Sequence, residues 1–409
     1  MTVPSFKRKC LVLAVLLLIG EGYCSDSNGA CSKATLPEVQ AITKGPKFHW
    51  FGYYDKLQFD PACRYALGME VDFEHRSPTP NDTIKVGMVD LKDNDRWVEL
   101  GESRAWCWQQ GCMLQWRPKS SSQVLWNDRE GDRFVCRVMD VKTGRRRTIP
   151  YPIYHISPDG KWALGTDFSR INDMRPGYGY AGIPDTSRDV MTPAGSGIYL
   201  VNIDSGEHKF LFSVADIAKF RYGGQSAEHK LYFNHVAWSP DGRRFLFFNR
   251  GQGVTTQVYT AAADGTDIRF LAEQSSHFAW RDPRHVLIWS EGAYRLYEDN
   301  GSGNGRVVWH APNGHVSYLP DQNWVVTDTY PQADQRRQEV YLYHIPSGKK
   351  VSLGRFHSPV QYKGEWRCDT HPRVSPDGNK VIIDSAHRGE GRQMYLIPIT
   401  GITDSVRQK

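Results

Sequence analysis

Apolar residues in this chain gather in short runs of strand character, and the same polar phrase keeps preceding them. The phrase is an aromatic or branched residue followed by Ser-Pro-Asp-Gly or a worn version of it. Clear copies are Ile156-Ser157-Pro158-Asp159-Gly160, Trp238-Ser239-Pro240-Asp241-Gly242 and Val374-Ser375-Pro376-Asp377-Gly378. Worn copies are Phe59-Asp60-Pro61, Trp116-Arg117-Pro118, Trp280-Arg281-Asp282-Pro283 and Tyr318-Leu319-Pro320-Asp321. Runs such as Trp162-Ala163-Leu164-Gly165, Phe245-Leu246-Phe247-Phe248 and Val381-Ile382-Ile383-Asp384 follow them. Proline at a turn corner with Asp-Gly behind it is tight-turn chemistry, so each copy predicts strand, turn, strand. Outer hairpins are predicted around Ile198–Ile203 with Asp204-Ser205-Gly206, and around Val340–Ile345 with Pro346-Ser347-Gly348. The prolines recur every 37 to 57 residues, apart from one interval of 82. That period predicts an all-β fold, a seven-bladed β-propeller of four-stranded antiparallel blades, as one domain over residues 25–409. The long interval predicts an inserted loop, the kind of segment that carries binding residues on a rigid scaffold.

Position within the repeat adds chemistry. Three residues before the anchor of the phrase stand His235, His277, His315 and His371, in four consecutive blades. The same position in the other copies holds Lys56, Met113 and Ile153, so the blade does not require histidine there. Equivalent positions on innermost strands converge on a central channel, where imidazoles can bind a divalent metal or carry protons near neutral pH. Cys368 precedes His371 by three and is a further candidate ligand. The inserted loop offers Arg170, Arg175, Tyr178 and Tyr180, cationic forks for carboxylate beside phenols that can donate a proton. His49 and Tyr54, in the ring-rich Phe48–Asp55 segment, and Asn234 and Arg250 are candidate substrate contacts. Asp55, Asp167, Asp328 and Asp384 could supply the paired carboxylates of a glycoside hydrolase, but their registers differ.

Composition narrows the class. The chain has 409 residues, 40% hydrophobic and 12% aromatic, which excludes a disordered or membrane-embedded protein. Lys7-Arg8-Lys9, the apolar run Cys10–Ile19 and the small residues after it predict a signal peptide over residues 1–24, too short in its apolar core to span a bilayer. The expectation is a secreted or periplasmic protein without membrane insertion. The formal charge of +6 falls to +4 without that leader, and Arg145-Arg146-Arg147 is the longest basic run, so nucleic acid is excluded and an acidic polymer fits. Of eight cysteines, six follow the leader, and Cys107 with Cys112 is the closest pair for a disulfide.

The Ser-Pro-Asp-Gly repeats resemble the propeller of the TolB type. With the histidines of Asn234-His235, His277 and Thr370-His371-Pro372, the chain resembles the seven-bladed propeller polysaccharide lyases, the oligogalacturonate and ulvan lyases. The resemblance implies β-elimination on a uronate-containing polysaccharide, with His235 as base and with His277 and His371 binding a divalent ion, zinc, manganese or calcium. It departs from the family in one run: where oligogalacturonate lyases have Gln-x-x-His-x-His, this chain has Trp366-Arg367-Cys368-Asp369-Thr370-His371. Asp369 or Cys368 could substitute, or His315 could complete the set. Within this expectation Tyr178 or Tyr180 protonates the leaving oxygen, Arg170 and Arg175 neutralise carboxylate, and a monomer acts on an acidic polysaccharide. The alternative is a non-catalytic exported propeller that binds a glycan or protein partner.

Overall fold

The computed structural model describes residues 36–223, 228–332 and 334–403. The expected signal peptide and Cys31 lie outside these residues. Seven four-stranded antiparallel sheets follow one another along the chain, as the repeat predicts. Blades 1 to 7 begin at the inner strands Phe48–Trp50, Gln115–Trp116, His155–Ile156, Leu231–Trp238, Ser275–Asp282, Val316–Tyr318 and Arg373–Val374. The ring closes where Gln40–Ala41 adds to Gln393–Pro398 as the outermost strand of blade 7, with Gln40 opposite Leu396.

The recurring phrase builds the turn between the first two strands of a blade. In Ser157-Pro158-Asp159-Gly160 the Ser157 hydroxyl donates to Asp159 and accepts from the Trp162 N–H, while Gly160 N–H closes onto the Ser157 carbonyl. Gly160, Gly242 and Gly378 have φ of 74°, 70° and 70°, a left-handed conformation that glycine adopts without steric cost. Where the glycine is worn away the conformation persists, with Gln322 at 57° and Cys63 at 53°. The second strands read as continuous apolar text because neighbouring blades cover both their faces. Phe245 to Phe248 and Val381 to Ile383 are all at 0% exposure.

The long interval holds two helices. Helix α1 (Phe168–Met174) lies in the insertion between the second and third strands of blade 3, and α2 (Val214–Tyr222) joins blade 3 to blade 4. Ser213 and Asp216 form a capping box at the start of α2, and Gly223 in the left-handed region ends it. The insertion is pinned by Arg170, whose guanidinium donates to Asp185 and to the carbonyls of Leu231, Ser187, Val190 and Met191. Connections between second and third strands emerge on the same face as the starts of the inner strands, so the insertion reaches the histidine end of the channel. Gly177 lies so close to blade 7 that a Cβ there would meet the Cβ of Glu365 at 2.7 Å.

Candidate functional site

Blades 4 to 7 bring their register histidines together. The ring centroids of His277 and His315 are 4.2 Å apart, as are those of His315 and His371. His235 completes the group through Tyr53, whose ring lies 5.0 Å from His235, nearly parallel, and 5.1 Å from His371, edge on. Tyr53 arrives there because the inner strand of blade 1 is interrupted. Trp50 pairs with Met69 and Phe59 with Ala66, so the residues between them loop into the channel. His235 and His371 have φ of 51° and 40°. A bulge between Asn234 and Ala237 turns His235 out of the ladder. Strained backbone of this kind gathers at functional sites.

Two hydrogen-bond systems hold these rings. Asp328 accepts the Nδ1 hydrogen of His315 at 3.0 Å to either oxygen, also accepts the His315 backbone N–H at 2.7 Å, and is itself held by the Thr370 hydroxyl at 2.6 Å. That leaves a lone pair on His315 Nε2. On the other side Gln110 faces His235 Nδ1 at 3.4 Å and accepts from the Tyr154 hydroxyl, which in turn accepts the His235 backbone N–H. Gln110 therefore sets the tautomer of His235. With its carbonyl held by Tyr154, its amide nitrogen faces Nδ1 and puts the hydrogen on Nε2; turning the amide over would free the Nε2 lone pair. His235 Nε2 faces the Tyr53 hydroxyl at 3.5 Å. Burial first, then the charges of Arg250 and Arg175, hold His235 well below the ordinary imidazole range, so it is neutral at pH 7.

His315, Asp369 and His371 form a group that could hold a metal ion, with one ligand atom from each lying within 4.8 Å of the others. His315 Nε2, His371 Nε2 and Asp369 Oδ1 are all buried without a hydrogen-bond partner. Buried polar atoms are seldom left so, and a cation would satisfy them. The residues fit a metal. His277 stands beside the group with its nitrogens engaged, Nδ1 with Asn313 at 2.9 Å and Nε2 with the Tyr330 hydroxyl at 3.4 Å.

Above the histidines, Tyr178 is the centre of a cationic mouth. Its oxygen accepts from Arg367 Nη2 at 2.6 Å, the Arg175 guanidinium lies 3.9 Å over its ring, and His235 meets it edge on at 6.1 Å. Burial alone would raise the Tyr178 phenol, but Arg175 and Arg367 outweigh it and hold the group below its ordinary value.

Several expectations need correction. Arg170 is not available to substrate, because the insertion's own carbonyls and Asp185 saturate it. Tyr180 is at 0% exposure, stacked on Phe168 at 4.3 Å with its oxygen bound by Asn127, so it cannot reach a leaving group. His49 is fixed between Gln393 and Glu70 at the seam of blades 1 and 7. Tyr54 reaches the histidines, 5.3 Å from His315, but its hydroxyl is used by the backbone of Phe278. Cys368 packs with Tyr362 and Ala386, and its neighbour Asp369 joins the ligand group instead. Cys107 and Cys112 are free, like every described cysteine, and Cys112 points at the Met69 sulfur. Asn234 and Arg250 do lie beside His235, with polar atoms unpartnered. Tyr53, Gln110, Tyr330 and Arg367 belong to the site and were not singled out from sequence. Arg367 and Asp369 stood in the run that departs from the lyase pattern, the one signal that marked them.

No family model and no curated relative matches the sequence. Solved structures do. An oligogalacturonate lyase in complex with manganese superposes with a TM-score of 0.67 at 14% identity, over 90% of this chain and 95% of that one. The oligogalacturonate lyase of Vibrio parahaemolyticus gives 0.65 at 14% identity, over 91% and 96%. This chain has their fold. A puromycin-hydrolyzing peptidase of Mycobacterium tuberculosis also matches, with a TM-score of 0.52 at 14% identity, but 85% of this chain covers only 52% of that one. Identities this low establish the seven-bladed architecture, and chemistry must be argued from the site.

Proposed function

We propose that this chain is an exported polysaccharide lyase that cleaves a uronate-containing polymer by β-elimination, acting as a monomer. The observation that carries the reading is the meeting of a neutral buried imidazole, a phenol flanked by two guanidiniums, and a metal-fitting triad at one mouth of a propeller shared in fold with oligogalacturonate lyases.

The proton next to a uronate carboxylate is weakly acidic until the carboxylate is neutralised. A divalent ion held by His315, Asp369 and His371 would supply a Lewis acid for that purpose, and two imidazoles with one carboxylate suit zinc or manganese better than the all-oxygen preference of calcium. His235 accepts the proton from carbon at Nε2 once the Gln110 amide has turned its carbonyl to Nδ1, the flip that frees the Nε2 lone pair. The C–O bond to the leaving sugar breaks as the C=C bond forms, and Tyr178 delivers its hydrogen to the departing oxygen. Its phenol oxygen already accepts from Arg367, so the hydrogen is free, and the phenolate left behind faces Arg175 and Arg367. The two protons exchange back through solvent, and no water is consumed.

Product mass decides between elimination and hydrolysis. Digestion of polygalacturonate or ulvan should give one fragment with an unsaturated end, lighter by one water than the hydrolysis product of the same length. Saturated fragments alone would overturn the reading. Saturable binding without any product would favour a glycan-binding propeller in which the triad is a structural pin.

A further inference from the structure

The elimination just described neutralises one acidic group, yet the mouth carries cationic capacity for two. Arg175 and Arg250 each lie one aromatic ring away from His235. Arg175 lies over Tyr178, which meets His235 at 6.1 Å, while Arg250 lies 5.2 Å from the Phe248 ring, which meets His235 at 5.1 Å. Arg175 Nη1 and Arg250 Nε are buried atoms with no hydrogen-bond partner, and neither guanidinium has a carboxylate in ion-pair reach among the described residues. Arg367, the third cation of the mouth, differs in being paired with Asp369 at 2.7 Å. Asn234, on the His235 strand and at 0% exposure, has both amide atoms unpartnered.

A guanidinium taken out of water without a counter-ion is costly, and two close together more so. Burial, and after it the charge of Arg175, hold Arg250 below its ordinary value. Such an arrangement is what a bound anion completes, since guanidinium forks match carboxylate and sulfate oxygens. The place is distinct from the triad. From His235 the triad is reached across Tyr53, 5.0 Å from His235 and 5.1 Å from His371, whereas the two arginines lie against Tyr178 and Phe248.

We propose that Arg175 and Arg250 form a second anion subsite that takes the acidic group of the sugar unit adjoining the one cleaved, so that the substrate carries carboxylate or sulfate on consecutive units. This rests on the lyase reading for its polymer but not for its test. Full-length His235→Ala protein, whose turnover is suppressed about 10²- to 10⁴-fold, is titrated calorimetrically with galacturonate, digalacturonate and a disaccharide of uronate and sulfated rhamnose. One charge-assisted fork should make at least one diacid bind about 10-fold tighter than galacturonate. Adding Arg250→Met should erase that preference, and Arg250→Lys should restore part of it, which separates lost charge from lost fold. Erasure for digalacturonate assigns carboxylate, and erasure for the sulfated disaccharide assigns sulfate. An unchanged preference in Arg250→Met, an equal weakening of galacturonate, or no binding of either diacid would overturn the subsite. Because turnover is not read, the subsite stands on these titrations even if no polymer yields an unsaturated end, the outcome that would sink the lyase reading alone.

Discussion

Blades 4 to 7 and blades 1 to 3 fill the same register position in opposite ways. On the first side His315 Nε2 and His371 Nε2 are buried without partners, next to an unpartnered oxygen of Asp369. On the second, Met113 and Ile153 are at 0% exposure in the apolar core, and Lys56 pairs with Asp55 at 2.7 Å. A side chain that is satisfied holds the fold, and one left wanting a partner is where a ligand is expected. The same contrast separates two arginines five positions apart. Arg170 donates to five acceptors inside the protein, while a nitrogen of Arg175 has none.

The sharpest way to break the comparison is to substitute the same register on both sides. His235→Ala should lower kcat by about 10²- to 10⁴-fold, the usual range for a general base, with little change in Tm. Ile153→Val should cost about 0.5–1.5 kcal/mol of stability, the ordinary result of removing a core methylene, and leave kcat alone. Similar losses of kcat in both would dissolve the distinction.

The arginine pair comes next. Arg170→Met strands Asp185 and should cost about 3–5 kcal/mol in chemical denaturation. Arg175→Met removes an uncompensated cation, so stability should hold or rise while KM increases. Third, Asp328→Asn takes away the carboxylate behind His315 and should weaken metal binding about 10- to 100-fold, read by competition with a chelator.

The smallest effect is in pH. His235 must be neutral, and its value lies well below 6.5, so the acid limb of kcat/KM should fall well below pH 6.5. Tyr178 must keep its hydrogen, and its value lies below 10.0, so the alkaline limb should fall below pH 10.0. His235, His277 and His371 are all lowered by burial, so below about 6.5 the unfolded chain takes up protons that the folded one refuses. Stability should therefore decline as pH drops through that range, and a flat denaturation profile between pH 7 and 5 would contradict the burial of these rings.

Sequence carried the fold well because Ser-Pro-Asp-Gly acts locally: one serine, one aspartate and one left-handed residue make the turn wherever they recur. The histidines were legible for a related reason, since a repeat turns a fixed offset into a fixed place in the channel. What escaped has no period. Tyr53 enters through an interruption in one strand, and Gln110 reaches His235 from a segment 125 residues away in sequence. Asp369 replaces Cys368 as a donor because of which side chain faces the channel, which the spacing before His371 does not say. Arg170 and Arg175 read alike in sequence because the carbonyls that saturate Arg170 belong to the insertion's own folded path and to Leu231.

The central claim is that the histidine side of the channel performs an elimination. Incubating metal-loaded protein with polygalacturonate and ulvan, beside His235→Ala and His371→Ala, and following the ultraviolet absorbance of the conjugated double bond tests it directly. The account predicts a steady rise on at least one polymer that both substitutions suppress. A flat trace on both polymers, or a rise that His235→Ala leaves intact, would contradict it.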